Sequence, residues 1–222
     1  SGDKIAQKIK DQVKSDVELL TLQLNRKPRV ISFIVGDNKE SKLYLKLRNK
    51  ACAKVGIEAV QHEFPEAVTF RELISEIKKA NNNGNVDGIF VQLPLPSHLD
   101  TQQVLSCINP NKDVEGFTAS NMGRLVNGQP FLVPCTPQAV MQILSYHHIS
   151  LKGLHVVIVN HSTVVGKPLS LLCLQENATV TIAHVFTKDL QEITKKADVT
   201  ACEAGAPRLT EKESGKQAAG VI

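Results

Sequence analysis

Three polar side chains on one predicted helix could act on a bound molecule. Ser41, Tyr44 and Arg48 are spaced three and four residues apart, so they project from one face of that helix. The turn Gly36-Asp37-Asn38 comes directly before the helix and closes a β-branched run. A hydroxyl, a phenol and a cation on one face could line a binding site. The same spacing also suits a solvated helix edge with a half-buried tyrosine.

A single amide follows the third predicted strand. Gln92 comes directly after the apolar run Gly88–Val91 and before a segment that two prolines stiffen. An amide at this place could orient a neighbouring group, or it could only satisfy the backbone of the loop. The turn Lys112-Asp113-Val114-Glu115-Gly116 leaves a similar choice, because its acids could bind a polar ring or cap a helix.

The segment from Asn160 to Pro168 lies between a predicted strand and a predicted helix. Backbone N–H groups and the helix dipole favour a phosphate at such a place. The GxGxxG fingerprint is absent, so the pattern alone does not separate a dinucleotide site from an ordinary strand-to-helix turn. His161 taken alone could equally be an exposed loop histidine.

Strands alternate with amphipathic helices along the chain, which predicts parallel sheets covered on both faces. In the first half we predict a long opening helix whose apolar stripe consists of Ile5, Ile9, Val13, Val17, Leu20 and Leu24. The segments that follow are strand 30–35, helix 41–55, strand 57–64, a helix opened by the capping box Thr69–Glu72 and strand 88–91. The apolar face of the capped helix is predicted to contain Phe70, Leu73, Ile74 and Ile77. In the second half we predict helices over 137–146, 166–174 and 190–196 and strands over 156–159, 180–183 and 199–202. Ligands of such sheets bind beyond the carboxyl ends of the strands.

The two series predict an α/β protein of two domains with a cleft between them. Residues 1–137 would form the first domain, and residues 138–222 a Rossmann-like parallel sheet. The final Gly220-Val221-Ile222 is typical of the opening of a further strand, so we expect the second domain to be incomplete at its C-terminus.

Composition narrows the classes of protein. The chain has 222 residues, 42% of them hydrophobic, without an apolar run long enough for a membrane span or a signal peptide. We therefore expect a cytoplasmic protein, with an organellar matrix also open. A net charge of +4 spread along helices does not indicate nucleic-acid binding. Five scattered cysteines without a CxxC pair predict no metal site and reduced, mostly buried thiols.

Five motifs follow one another along the chain: Ser41-x-x-Tyr44, VQLPLP at 91–96, KDVEG at 112–116, PCTP at 134–137 and Ser162-x-x-Val165-Gly166-Lys167-Pro168. Taken together and in this order, they resemble the bifunctional methylenetetrahydrofolate dehydrogenase/methenyltetrahydrofolate cyclohydrolase family. The similarity runs over almost the whole chain, and the ordered set is highly specific.

The resemblance implies oxidation of 5,10-methylenetetrahydrofolate with NADP, or NAD in some members, and hydrolysis of the methenyl product to 10-formyltetrahydrofolate. It also implies a homodimer. The implied catalytic positions are Tyr44, which stacks on or near the folate, position 48, where the family lysine drives hydrolysis, and Gln92, which positions that lysine. Implied substrate contacts are Tyr44, Val91, Gln92, Leu93 and Glu115, the last holding the pterin. Implied cofactor contacts are Asn160, His161, Ser162, Gly166 and Val185.

The chain departs from the family pattern at several of these positions. Arg48 replaces the lysine, and arginine is essentially never deprotonated in proteins. Glu115 is one methylene longer than the family's aspartate. Asn160-His161-Ser162 replaces Gly-Arg-Ser, and His184-Val185-Phe186 stands where the family tends to place a serine and another polar group, so we expect weak discrimination between NADP and NAD.

Two departures lie further downstream. Glu203 replaces a small residue, and the family's glycine-rich folate-closing segment would fall beyond Ile222. These changes keep open a second reading, a folate- or dinucleotide-binding relative that acts as a scaffold without turnover. An unrelated two-domain α/β oxidoreductase would require the ordered motifs to be accidental.

Overall fold

A computed structural model describes residues 2–202 and 220–221 of the chain. It divides into two compact units, Ser1–Ala119 and Ser120–Ile222. The first unit contains α1 (Gly2–Leu24), β1 (Arg29–Val35), α2 (Lys39–Val55), β2 (Glu58–Phe64), α3 (Phe70–Asn82), β3 (Gly88–Val91), α4 (Thr101–Ser106) and the first residue of α5 (Ala119–Val126). The domain boundary predicted at residue 137 stays a prediction.

The sheet of the first unit is parallel, with strand order β2-β1-β3. This confirms the alternation read from the sequence. On one face, α3 packs onto a core that includes Phe33, Leu73, Ile77 and Ile89, all fully buried. On the other face, α2 covers a smaller cluster of Ile34, Leu45 and Phe90, with Val114 packed beside it.

The capping box predicted for α3 is present. Thr69 Oγ1 accepts a hydrogen bond from the backbone N–H of Glu72, whose carboxylate accepts one from the N–H of Thr69. Phe70 was expected on the apolar face of α3 with Leu73, but its side chain is exposed, so that expectation is wrong. Phe70 is the first residue of the helix, one turn before the buried Leu73 and Ile74.

The apolar stripe of α1 is only partly buried. Ile5 and Val17 are buried, whereas Ile9, Leu20 and Leu24 of the same stripe are exposed. Two short helices, α4 and α5, escaped the sequence analysis because each is too short to display a helical repeat of apolar residues.

The second unit contains most of α5 and then α6 (Cys135–Tyr146), β4 (His155–Val159), α7 (Gly166–Gln175), β5 (Thr179–Ala183), α8 (Leu190–Thr194), β6 (Val199–Cys202) and β7 (Gly220–Val221). Its sheet is parallel, in the order β5-β4-β6-β7. The predicted strand at the end of the chain is therefore confirmed over Gly220–Val221. Glu203 lies outside the described residues.

The structure joins none of the five cysteines, all of which are described, in a disulfide bond. The prediction that most are buried is wrong, because only Cys173 is buried and Cys135 is exposed. Burial raises the pKa of the Cys173 thiol to about 11, so this side chain behaves as a small apolar residue. Within residues 2–202, no helix is long and apolar enough to cross a membrane, and no three His, Cys, Asp or Glu side chains gather as metal ligands would.

Candidate active site and dinucleotide loop

Arg48 points from α2 into the sheet of the first unit. Its Nη2 donates a hydrogen bond to the hydroxyl of Ser32 on β1, and that residue is fully buried. Its guanidinium carbon lies 4.2 Å from the ring centre of Phe90 on β3, a cation–π contact. Ser32 and Phe90 are register partners on adjacent strands, so their side chains contact the guanidinium side by side.

Tyr44 lies one turn before Arg48 on α2 and is about half exposed (51%). Ser41 lies in the first turn of α2, where its N–H donates to the side chain of Asn38, the residue that caps the helix. The three residues thus follow one another along the helix as the sequence predicts. Their arrangement fits both the binding-site reading and the solvated-edge reading.

Gln92 directly follows β3, and its backbone N–H donates to the carbonyl of Phe33 (2.9 Å). Because side chains alternate along a strand, Gln92 falls on the same sheet face as Phe90, where α2 packs. Its Nε2 donates to the carbonyl of Leu93 (2.7 Å). Its Oε1 is buried without a hydrogen-bond donor among the described residues. The amide nitrogen of Gln92 therefore satisfies a carbonyl of the loop backbone, whereas the amide oxygen remains able to accept a hydrogen bond.

Two of the predicted substrate contacts flank this amide. Val91 is buried in the core under α3, so its side chain does not reach the face on which α2 lies. Only its backbone could meet a ligand. Leu93 is half-buried and precedes a cis peptide bond to Pro94.

The turn at 112–116 contains three charged side chains in different surroundings. Lys112 Nζ donates to three carbonyls at the end of α3, those of Ala80 (3.2 Å), Asn81 (2.8 Å) and Asn83 (2.8 Å). Asp113 is buried and accepts from the N–H of Thr118 (2.8 Å). Both side chains therefore hold the fold. Glu115 is the half-exposed acid of the turn.

Gly88 explains how that turn lies so close to the sheet. A Cβ at Gly88 would stand 2.5 Å from Val114 Cγ1, so only glycine allows Val114 to pack over the start of β3. A backbone bridge between Ile89 and Asp113 holds the turn beside β3. The sequence shows the glycine, but it gives no sign that Val114 packs against it.

In the second unit, the loop between β4 and α7 is organised by one side chain. Asn160 Oδ1 accepts hydrogen bonds from the N–H groups of Ser162 (2.7 Å) and Gly166 (3.1 Å). Ser162 Oγ accepts from the N–H of Val165 (3.0 Å). A Cβ at Gly166 would overlap the carbonyl of Asn160, so glycine is required where α7 begins.

Aromatic rings gather at the carboxyl ends of β4 and β5. The rings of His161 and His184 are 4.8 Å apart between centres, and the Phe186 ring lies 6.1 Å from that of His184. Phe186 and Val185 are more than 80% exposed. In the sequence, His184 and Phe186 stand out only as departures from the family pattern. Their place directly after β5 is the signal that makes them candidate site residues.

Comparison with known proteins agrees with this division. Residues 1–115 match the model of the tetrahydrofolate dehydrogenase/cyclohydrolase catalytic domain, and residues 134–222 match the NAD(P)-binding domain of the same family. The bifunctional protein FolD of Nitratiruptor is 44% identical over 221 residues, which cover 100% of this chain and 78% of that protein. The FolD protein of Nautilia profundicola is 45% identical over 222 residues, with the same coverage.

Solved structures give the same result. FolD methylenetetrahydrofolate dehydrogenase/cyclohydrolase from Campylobacter jejuni superimposes with a TM-score of 0.94 at 36% identity, over 97% of this chain and 76% of that one. The Trypanosoma brucei enzyme, solved with NADP and an inhibitor, superimposes with a TM-score of 0.95 at 34% identity, over 100% and 76%. With both domains matched in order and full-length relatives above 40% identity, the chain belongs to the tetrahydrofolate dehydrogenase/cyclohydrolase family.

Proposed function

We propose that the chain oxidises 5,10-methylenetetrahydrofolate with NAD(P) and hydrolyses the methenyl product only slowly. The observation that carries this proposal is the environment of Arg48. The residue in place of the family lysine donates a hydrogen bond to Ser32 and stacks on the ring of Phe90. The dehydrogenase step and the hydrolase step make different demands on that position.

The dehydrogenase step moves a hydride from the methylene carbon to the nicotinamide and leaves a methenyl cation. It needs the two reacting carbons held together, which is a matter of positioning and requires no proton carrier on the protein. Gln92 follows the carboxyl end of β3, Tyr44 is on the helix α2 that covers the same sheet, and Glu115 is in the turn bridged to β3. Ligands of parallel sheets bind beyond the carboxyl ends of the strands, so we infer that a folate would bind there. Tyr44 would stack on the substrate, while Gln92 and Glu115 would accept hydrogen bonds from it.

The hydrolase step adds water to the methenyl carbon, releases one proton and opens a ring C–N bond to give 10-formyltetrahydrofolate. A side chain that exchanges a proton with the attacking water accelerates such a step by roughly 10²–10⁴-fold. Lysine can do so when its surroundings lower its pKa, whereas arginine only donates hydrogen bonds. Arg48 therefore supplies charge without proton transfer.

One assay tests the proposal. The chain is mixed with methylenetetrahydrofolate and either NAD or NADP, while reduced nicotinamide and the methenyl chromophore are followed separately. We expect reduced nicotinamide to form and the methenyl compound to accumulate with it. Hydrolysis that keeps pace with oxidation would contradict the proposed effect of Arg48. Binding of folate and dinucleotide without reduction would support the scaffold reading.

We also propose that the chain forms a homodimer, as the family resemblance implies. The strand β5 lies at one edge of the second sheet and exposes Ile182, so it offers backbone groups and apolar surface to a second copy. Light scattering after gel filtration at micromolar concentration should give twice the 24.3 kDa mass of the chain. A mass equal to one chain would contradict this.

A further inference from the structure

A groove runs along the seam between α1 and the end of α2. Its volume is about 420 Å³, and ligand pockets in proteins enclose roughly 300–1,000 Å³. Four side chains form its apolar lining: Val17 and Leu22 of α1, and Ala53 and Val55 of α2. The helix α1 lies directly over the end of α2 because Gly56 has no side chain. A Cβ at Gly56 would stand 3.1 Å from Val17 Cγ1.

Three lysines surround this apolar lining. Lys14 is on α1, Lys54 is on α2, and Lys27 lies in the connection between α1 and β1. None of the three forms an ion pair with another residue of the range 2–202. Glu18 also lines the groove, so the lining carries three positive charges and one negative charge. The groove therefore combines an aliphatic floor with an excess of positive charge.

This lining matches one class of ligand. Aliphatic side chains are stabilised when another apolar group removes them from water, and an excess of positive charge attracts an anionic head group. Among the residues that line the groove, no aromatic ring is present to stack on a planar ligand and no amide side chain is present to bind a polar one. An unbranched aliphatic carboxylate therefore fits the groove better than an aromatic acid or a sugar phosphate does.

We propose that the groove binds a medium-chain fatty carboxylate, with the alkyl chain along Val17 and Ala53 and the carboxylate among the three lysines. The methylene stems of the lysines would extend the apolar surface, while their ammonium groups meet the carboxylate.

This site is distinct from the proposed folate site. The groove lies where β1 begins, next to Lys27, whereas Gln92 follows the carboxyl end of the neighbouring strand β3. The strand β1 has seven residues, so about 20 Å separates the two edges of the sheet. Binding in the groove requires neither folate nor dinucleotide.

The experiment is calorimetric titration of the full chain with hexanoate, octanoate and decanoate, each below its micelle-forming concentration. We expect one carboxylate to bind per chain, and each added methylene should tighten binding about two- to fourfold. Octanol has an alkyl chain of the same length as octanoate but no charge. It should bind about three- to tenfold more weakly than octanoate, because it gains nothing from the lysines.

Three variants locate the site. Lys27→Gln/Lys54→Gln removes two positive charges and should weaken octanoate binding about three- to tenfold while leaving octanol binding unchanged. Ala53→Phe fills the groove from an exposed position of α2 and should weaken the binding of octanoate and octanol alike. Lys78→Gln is the matched control, because Lys78 is exposed on α3, on the opposite face of the sheet. It should change neither affinity.

Several results would overturn the proposal. The absence of binding, or an affinity that does not depend on chain length, would leave only attraction between surface charges. An octanoate affinity that neither Ala53→Phe nor the double lysine variant changes would place the carboxylate elsewhere on the chain.

Other occupants of the groove give different results, and each of these would also overturn the proposal. Tighter binding of 2-naphthoate than of decanoate would assign the groove to an aromatic acid. Loss of decanoate binding as the concentration of the chain rises would show that a second copy covers the groove. Binding to phosphatidylglycerol vesicles without any binding of dispersed decanoate would make the groove a membrane contact.

Discussion

The guanidinium of Arg48 and the ring of Phe90 are in cation–π contact, 4.2 Å from carbon to ring centre. The contact joins Arg48 of α2 to β3, which Gln92 directly follows. The family resemblance implies a lysine at position 48 that this amide would position. Here the cation is held by Ser32 and Phe90, and Gln92 Oε1 has no donor among the described residues.

The first prediction concerns hydrolysis. Arg48→Lys should raise the rate of methenyltetrahydrofolate hydrolysis, within the roughly 10²–10⁴-fold range of general acid–base catalysis, while hydride transfer changes much less. Following both half-reactions in parent and variant measures this. Gln92→Ala should lower hydrolysis only in the lysine variant, because only there does the amide have a lysine to position. Hydrolysis unaltered by Arg48→Lys would place the defect elsewhere, for example at Glu115.

The second prediction concerns the hydrogen bond between Arg48 and Ser32. Ser32→Ala removes the buried oxygen that accepts from Arg48 and should lower the free energy of unfolding by about 1–3 kcal/mol. The double variant Ser32→Ala/Arg48→Met should lose less unfolding free energy than the two single variants together, because each single substitution already removes the same interaction. Urea denaturation of the four proteins completes the cycle. Additive losses would show that Ser32 and Arg48 do not interact.

Local rules predicted much of this fold. The capping box at Thr69 and the buried β-branched run of β1 depend on residues within a few positions of each other, and both are confirmed. The stripe of α1 shows the limit of such rules, since periodicity gives a helix an apolar face without naming the surface that covers it. Phe70 fits the same face as Leu73 by spacing, yet Phe70 is exposed and Leu73 is fully buried.

The sequence predicts which residues belong to the candidate site, but it does not predict which side chains they contact. The motifs located Tyr44, Arg48 and Gln92, but nothing in the sequence joins Arg48 to Ser32, which lies 16 residues earlier in the chain. Long-range partners of this kind are set by the packing of α2 on the sheet. For the same reason, the role of Lys112 as a cap for α3 could not be separated from a binding role until the carbonyls around it were known.

The third prediction tests this cap. Lys112→Met keeps the length of the side chain and removes the ammonium that satisfies three carbonyls at the end of α3, so the free energy of unfolding should fall by about 1–2 kcal/mol. Lys78→Met, at an exposed position of α3, is the control and should cost no more than about 0.5 kcal/mol. Equal losses at the two positions would contradict the capping role.

The fourth prediction concerns acid stability. Arg26 binds both carboxylate oxygens of Asp87, at 2.7 and 2.9 Å, and this hydrogen bonding is the main cause that holds the pKa of Asp87 below its usual value. A carboxylate with a lowered pKa in the folded state stabilises the fold above its unfolded pKa of about 3.9, and that contribution is lost as the pH falls through the folded pKa.

Asp87→Asn should therefore lower the free energy of unfolding by about 1 kcal/mol or less at pH 7. The loss is small because the ion pair of Arg26 and Asp87 is partly exposed. The difference between parent and variant should shrink below about pH 4. Unfolding curves measured from pH 7 to pH 2 show this, with Glu66→Gln, at an exposed carboxylate of the same unit, as the comparison. A difference that grows toward low pH would have the wrong sign for this mechanism.

The last prediction separates a glycine required by packing from one that is not. A Cβ at Gly166 would overlap the carbonyl of Asn160, whose side chain also holds the N–H of Gly166, so Gly166→Ala must displace the loop before α7. We expect binding of NAD and NADP to weaken by at least about tenfold in calorimetric titrations, with a loss of stability of about 1–3 kcal/mol from strain. Gly123 lies in α5 with open space at its Cβ position. Gly123→Ala should instead stabilise the fold by up to about 1 kcal/mol and leave dinucleotide affinity unchanged. If Gly166→Ala bound dinucleotide as well as the parent does, the close approach of Gly166 to Asn160 would have no part in forming the cofactor site.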